Sequence, residues 1–279
     1  MDIIDFRAYS PLPKTMKAIA DPGSPLGNYV ARYHLGDLSG NAMPPERFLE
    51  KLDRLNIRYC VMASGGAPND EVAQYASRSE RLVGIASISP HDPYTAVREI
   101  QRCYDMGMRL VGLGPYQDGL LANHRLYYPI YAKCCELGMA VVVHTSFNFG
   151  RGLRLDTGRP LHLDDVATDF PNLVIVASHG GWPWVPEMAA VAWRHENVYI
   201  EVSGHRNKYM VGPGSAWESL FYYGNGPLKE KIVWGSIWPY LDMERQVEEA
   251  RQLPFKAEVQ KLLFFDNAQR ILKRCGAIR

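Results

Sequence analysis

The sequence lacks the features that would point to a membrane, a nucleic acid or an oxidising compartment. No apolar stretch approaches the roughly 20 residues that a membrane helix needs. A formal net charge of +1 gives no electrostatic reason to expect a nucleic-acid or membrane partner. The five cysteines are odd in number and show no CxxC spacing, which favours reduced thiols. The acidic first residues do not resemble a signal peptide, so we expect a cytoplasmic protein.

Several enzyme signatures are missing as well. The sequence contains no Gly-rich phosphate loop and no nucleophile elbow. It also has no Ser/Gly linker, low-complexity tract or short repeat, so residues 1–279 are expected to form one domain. A hydrophobic content of 47% and a charged content of 22% are typical of a globular protein.

Short apolar runs alternate with helical patterns along the chain. The segment from Arg7 to Met43 is predicted to be a long loop with at most a short helix near His34. Eight strand–helix pairs predict an α/β fold, a single (β/α)8 TIM barrel with extra C-terminal helices. The predicted strands span residues 3–6, 57–63, 82–87, 108–113, 139–144, 173–179, 197–203 and 231–235.

Two of the predicted strands end in a histidine, His144 and His179. Because the carboxyl ends of barrel strands open on one face, these side chains are expected to meet there. A lone histidine is more often structural, but two on neighbouring buried strands favour a site. Around them the strand ends and loops carry aromatic and cationic residues, which suit a small, flat, anionic molecule. The predicted substrate-binding residues are Tyr9, His34, Phe147, Arg151, Trp182, His205 and Trp238. The same aromatics would also suit a subunit interface, so a homo-oligomer is possible.

The sequence resembles the amidohydrolase superfamily over nearly its whole length. The branch is that of amidohydrolase-related proteins, which includes aminocarboxymuconate-semialdehyde decarboxylase. The matching segments are 3–6, 142–144, 170–181, 197–203, 235–239 and 266–272. The resemblance implies a TIM barrel that hydrolyses or decarboxylates a small substrate.

The family's metal ligands are only partly matched. The resemblance implies two ligands from a His-x-His at the first strand, where this sequence has Arg7 and Tyr9, and an aspartate at the eighth, where it has Ile237. His144 and His179 remain as residual metal candidates, but zinc usually takes three or four protein ligands. A guanidinium cannot be a ligand. No cofactor is therefore expected, and zinc is the less favoured alternative.

Three functions stay open. The first is a metal-independent hydrolase or lyase acting on a small carboxylated ring or lactone, by lactone hydrolysis or isomerisation or by decarboxylation. In it Arg7 would replace the cation, and His144 or His179 would be the general acid/base. The second is a catalytically silent barrel that binds a ligand or partner. The third is a metalloenzyme with relocated ligands, such as Glu201 or Asp5, although strand alternation is expected to point at least one of these away. Arg7 could instead form a salt bridge with Asp37 or Asp156 and do nothing else.

Overall fold

The computed structural model describes residues 1–150 and 152–279. Eight parallel strands form one sheet in the sequential order β1 to β8, and helices follow the strands around it, as in a TIM barrel. The strands are β1 Ile3–Tyr9, β2 Ile57–Ala63, β3 Leu82–Ser87, β4 Leu110–Leu113, β5 Ala140–His144, β6 Ile175–Ser178, β7 Val198–Val202 and β8 Ile232–Trp234. The sequence predicted all eight, with ends that differ by a few residues.

The helices form the outer layer and the loops above the barrel. They are α1 Pro13–Ala20, α2 Pro25–Tyr33, α3 Pro45–Arg54, α4 Asn69–Ala76, α5 Pro93–Asp105, α6 Pro115–Asp118, α7 Tyr128–Leu137, α8 His162–Asp169, α9 Val185–Arg194, α10 Glu218–Gly224, α11 Met243–Arg251, α12 Ala257–Lys261 and α13 Asn267–Arg274. A π-helical turn, Leu262–Asp266, joins α12 to α13. None of the helices in the described residues combines the length and the apolar character that a membrane span requires.

The long loop predicted between Arg7 and Met43 is wrong, because this segment contains α1 and α2. Its prolines begin helices instead of interrupting them: Pro13 and Pro25 stand in the first turn, where the missing N–H has no intrahelical partner to lose. Ser24 caps α2, since its hydroxyl accepts the Gly27 N–H at 2.8 Å. The predicted short helix near His34 is displaced toward the N-terminus, and His34 follows its last residue.

The barrel closes between β1 and β8 through backbone and side-chain hydrogen bonds. The Ile237 N–H donates to the Arg7 carbonyl at 2.6 Å, and the Tyr9 N–H donates to the Trp238 carbonyl at 2.8 Å. Below them, the fully buried Asp5 carboxylate accepts from the N–H and the hydroxyl of Ser236 at 2.9 and 2.5 Å. This seam fixes Arg7 at the carboxyl end of the barrel.

Candidate active site

A cavity of about 400 Å³ opens at the carboxyl ends of the strands. Its volume lies in the range of small-molecule sites. Arg7, His144 and His179, which were predicted to converge, all line it. The other side chains that shape the wall around them are Tyr9, Tyr29, Ser64, Tyr116, Ser146, Phe147, Phe149, His205, Ile237 and Tyr240.

Arg7 projects from β1 into this cavity. Its guanidinium carbon lies 5.7 Å from the centre of the Tyr9 ring. The alternative of a simple salt bridge is not found among the described residues, because Asp37 is bonded to Ser39 and Asp156 lies 3.4 Å from His162. The Arg7 Nε is buried without a hydrogen-bond partner in the described chain. An unpaired guanidinium donor of this kind is suited to an acceptor supplied by a ligand.

His144 ends β5 and packs between two rings, tilted against one and edge-on to the other. The centre of its ring is 4.3 Å from that of Tyr116 and 5.0 Å from that of His179. Burial, reinforced by the positive charge of Arg7, lowers the pKa of His144 from 6.5 to about 3. The imidazole is therefore neutral at pH 7, with its buried Nδ1 unbonded within the described structure.

His179 follows β6 and has a φ of 70°, in the left-handed region that non-glycine residues seldom adopt. Its backbone N–H donates to Glu201 Oε2 at 3.3 Å, and its Nδ1 lies 2.9 Å from the Ser203 hydroxyl. Nε2 is on the opposite side of the ring from these partners. Burial, with smaller contributions from His144 and Arg7, holds the pKa of His179 well below its ordinary value, so this imidazole is also neutral.

Glu201 lies beside His179, although the sequence suggested it only as a relocated metal ligand. It lies within β7, fully buried, with Oε2 3.9 Å from His179 Nδ1. Burial raises its pKa to about 7, although the nearby Arg7 charge opposes this rise. The signal was present in the spacing: Glu201, Ser203 and His205 occupy alternate positions, and alternate residues of a strand share one face. Asp5 is the residue that points elsewhere, into the seam with β8.

His205 lies in a box of aromatic rings beside His179. Its ring centre is 5.1 Å from that of Trp182 and 5.5 Å from those of Phe147 and Trp217. Burial lowers the pKa of His205 to about 4. Both ring nitrogens are buried without a partner in the described part of the chain. Because a neutral imidazole has one donor and one acceptor, the box offers two unused hydrogen-bonding positions.

Three predicted substrate-binding residues of the described chain, His34, Trp182 and Trp238, are not found in the cavity wall. Trp182 packs against His205 instead, with its ring centre 5.1 Å from that of the imidazole. Trp238 is buried against α3, where its ring centre lies 5.2 Å from that of Phe48; the cis bond to Pro239 follows it. His34 is exposed at the C-terminal end of α2. Neither side chain lines the cavity, and their role in substrate binding stays a prediction. Arg151 lies outside the described residues.

The donor groups do not fit a catalytic metal of the family's kind. Within residues 1–150 and 152–279, no three His, Cys, Asp or Glu side chains form a group able to hold a metal ion. The two imidazoles at the cavity face a guanidinium, and Ile237 follows β8 with an apolar side chain. A zinc or manganese ion would lack ligands there and would meet the charge of Arg7.

Residues 41–274 match the family model described as amidohydrolase, and the chain belongs to this family. An uncharacterised TIM-barrel protein from Bordetella bronchiseptica superposes with a TM-score of 0.83 at 27% identity, covering 99% of this chain and 100% of that chain. A probable 2-pyrone-4,6-dicarboxylic acid hydrolase from Acinetobacter baumannii, with citric acid bound, has a TM-score of 0.62 at 17% identity. It covers 82% of this chain and 89% of that one, and this likeness shows the fold alone.

A curated relative is the 2-amino-3-carboxymuconate-6-semialdehyde decarboxylase of Dictyostelium discoideum. It is 25% identical over 130 residues, which are 40% of this chain and 36% of that protein. The match therefore spans little more than a third of the relative's length.

Proposed function

We propose that this protein is a metal-independent hydrolase that opens a small carboxylated lactone. The observation that carries the proposal is the unpaired buried Nε of Arg7 beside two neutral imidazoles, His144 and His179, in one cavity. Their ring centres lie 5.0 Å apart. A fixed cation that stabilises the oxyanion and a neutral base that accepts the proton of water are the two groups that ester hydrolysis needs.

Arg7 is proposed to hold the carbonyl oxygen of the lactone or an adjacent carboxylate. Its charge stabilises the oxyanion that forms when water attacks the carbonyl carbon. The surrounding Tyr9, Tyr116 and Phe147 rings give flat apolar walls for an unsaturated ring. The unused nitrogens of His205 supply further polar contacts, so an oxygen-substituted ring is the substrate class that matches the cavity.

His179 is proposed as the general base through Nε2. Its lowered pKa keeps it neutral, so it can accept the proton of the attacking water. The tetrahedral intermediate then collapses with cleavage of the ring C–O bond, and the imidazolium returns the proton to the leaving oxygen. The products are the ring-opened hydroxy acid or, from an enol lactone, its keto form. A substrate carboxylate bound at Arg7 would offset the guanidinium charge and favour the imidazolium during this step.

Decarboxylation is the second candidate, and the Dictyostelium relative favours it. Replacing a carboxylate by hydrogen requires a proton donor to the ring carbon. At neutral pH the buried imidazoles carry no proton to spare beyond their N–H, which makes this chemistry less suited to the site than hydrolysis.

The test is a screen of carboxylated lactones and hydroxylated aromatic acids with the purified, metal-analysed protein. His179→Ala should lower kcat by on the order of 10²- to 10⁴-fold on any lactone that is opened. His195→Gln is the matched control, because His195 bonds Asp164 before the start of β7, at the opposite end of the barrel, and it should retain activity. Ligands that bind and are never consumed would favour the silent barrel, and stoichiometric zinc or manganese surviving dialysis would favour relocated ligands.

A further inference from the structure

We propose that Glu201 is a positioning residue that acts with Ser203 to keep the ring proton of His179 on Nδ1, leaving Nε2 unprotonated toward the cavity. This inference rests on the proposed function, in which His179 is the base. It assigns a role to a buried carboxylate that the reaction does not itself touch.

The polar contacts of the His179 ring lie on one side of it. Nδ1 faces β7, with the Ser203 hydroxyl at 2.9 Å and Glu201 Oε2 at 3.9 Å. The chain after β7 approaches the same edge closely, since a Cβ at Gly204 would lie 2.8 Å from Nδ1. Nε2 is therefore the nitrogen left for a ligand.

The charge of Glu201 determines which tautomer is favoured. A carboxylate 3.9 Å from Nδ1 stabilises a proton there. The Ser203 hydroxyl oxygen can then accept a hydrogen bond from Nδ1–H. The other charged or titratable groups around this pair are Arg7, Asp5 and Tyr9 on β1 and the imidazoles of His144 and His205. Arg7 favours the ionised form of Glu201 and disfavours a second proton on His179, so it reinforces the same arrangement.

A purely structural role would not call for a carboxylate at this position. The rest of β7 consists of Val198, Tyr199, Ile200 and Val202, and an apolar side chain would fit a fully buried strand. Glu201 Oε1 has no hydrogen-bond partner in the described structure, which makes the buried group costly to keep. Its position beside His179 gives this buried carboxylate a function that accounts for the cost.

The consequence for catalysis is a base with a fixed direction. Nε2 takes the proton of the attacking water, and the imidazolium that results is stabilised by the carboxylate behind it. No proton needs to leave Nδ1 during the cycle. The negative charge of Glu201 would stabilise the imidazolium more than the neutral imidazole. Because the positive charge develops in the transition state, this difference lowers the barrier.

The test is the ¹⁵N chemical shift of both His179 ring nitrogens at pH 8 in uniformly labelled protein, which requires no substrate. In the wild type, Nδ1 should carry the proton and Nε2 should be unprotonated. Glu201→Gln retains an acceptor for the His179 N–H but removes the charge. The Nδ1-protonated share should then fall to roughly half or less. Ser203→Ala should shift the same signals in the same direction.

Ser146→Ala is the matched control, since that hydroxyl bonds the Trp182 carbonyl and should leave the tautomer unchanged. A wild-type proton on Nε2, or a Glu201→Gln spectrum equal to that of the wild type, would overturn the inference. Both outcomes are read without turnover. Failure to find a lactone substrate therefore counts against the proposed function and leaves this result standing.

Where a substrate is found, Glu201→Gln should lower kcat by on the order of 10²-fold with little change in KM. A loss confined to KM would contradict a role in positioning the base.

Discussion

Arg7 carries the positive charge that organises the cavity at the scale of single residues. Two imidazoles beside it, His144 and His179, are neutral because burial and this charge both disfavour a second proton. For the carboxyl of Glu201 the two effects oppose each other: burial raises its pKa, and the charge of Arg7 lowers it. The site is thus a set of mutually dependent protonation states in which each group constrains the others.

Arg7→Met should raise the pKa of His144 from about 3 toward, but not up to, its ordinary 6.5. The variant removes the charge, whereas burial, the larger cause, stays. An NMR titration of the histidine ring protons measures the change. Arg7→Lys is the control, because it keeps a cation and should leave the pKa low; a pKa that falls or stays constant in Arg7→Met would refute the assignment.

At the scale of secondary structure, Arg7, His144 and His179 come together because each lies near the carboxyl end of a strand. His144 and His179 are brought together because β5 and β6 pair in register, with His144 opposite Ser178. Arg7 joins them because β1 reaches β8 and closes the ring of strands. The seam is held in part by Asp5 and Ser236, far from each other in sequence.

Ser236→Ala should lower the free energy of unfolding by about 2 to 3 kcal/mol, because it leaves the buried Asp5 carboxylate and the Trp238 N–H each short of a partner. Urea denaturation measures this. Ser77→Ala, which removes an exposed hydroxyl bonded only to the Gln74 carbonyl, should change stability by less than about 0.5 kcal/mol. If the two variants were equal, the seam would have no special stabilising role.

At the scale of the whole molecule, the fold is that of the family, but the described side chains at the strand ends do not form the metal site that the family resemblance implied. The barrel and residues 41–274 are those of an amidohydrolase. The groups at the strand ends are a guanidinium, neutral imidazoles and aromatic rings. The scaffold does not by itself define the reaction, because the barrel core fixes the strands while the strand ends vary. Assembly into a homo-oligomer stays a prediction.

The buried histidines should make a contribution to stability that is lost as the pH falls from about 6.5 to 4. Buried histidines with lowered pKa values take up protons in the unfolded chain before they do so in the folded one. The histidine contribution to stability is therefore constant above pH 6.5 and falls below it. The raised pKa values of the buried Glu201 and Asp5 carboxyls act in the opposite direction. His205, with a pKa of about 4, contributes a loss on the order of 3 kcal/mol.

His205→Phe should reduce this loss when urea denaturation at pH 7.5 and pH 5 is compared. Phe147→Leu changes the same wall without a titratable group, and it should shift stability equally at both pH values. Equal pH dependence in the wild type and His205→Phe would rule out this contribution.

The sequence by itself determined the barrel, because eight apolar runs at regular spacing leave little choice of architecture, and the motif after Phe170 resembles the family. It also placed His144, His179 and Arg7 together at the carboxyl end of the barrel, since the end of a buried strand is a position that the local pattern reveals. Tertiary structure decided the rest. The partner of His179 is Glu201, on another strand, and its inward direction depends on the pairing of β6 with β7. The positions of Trp238 and His34 outside the cavity wall were decided in the same way, since a loop's neighbours are set by packing across the fold and not by its own residues.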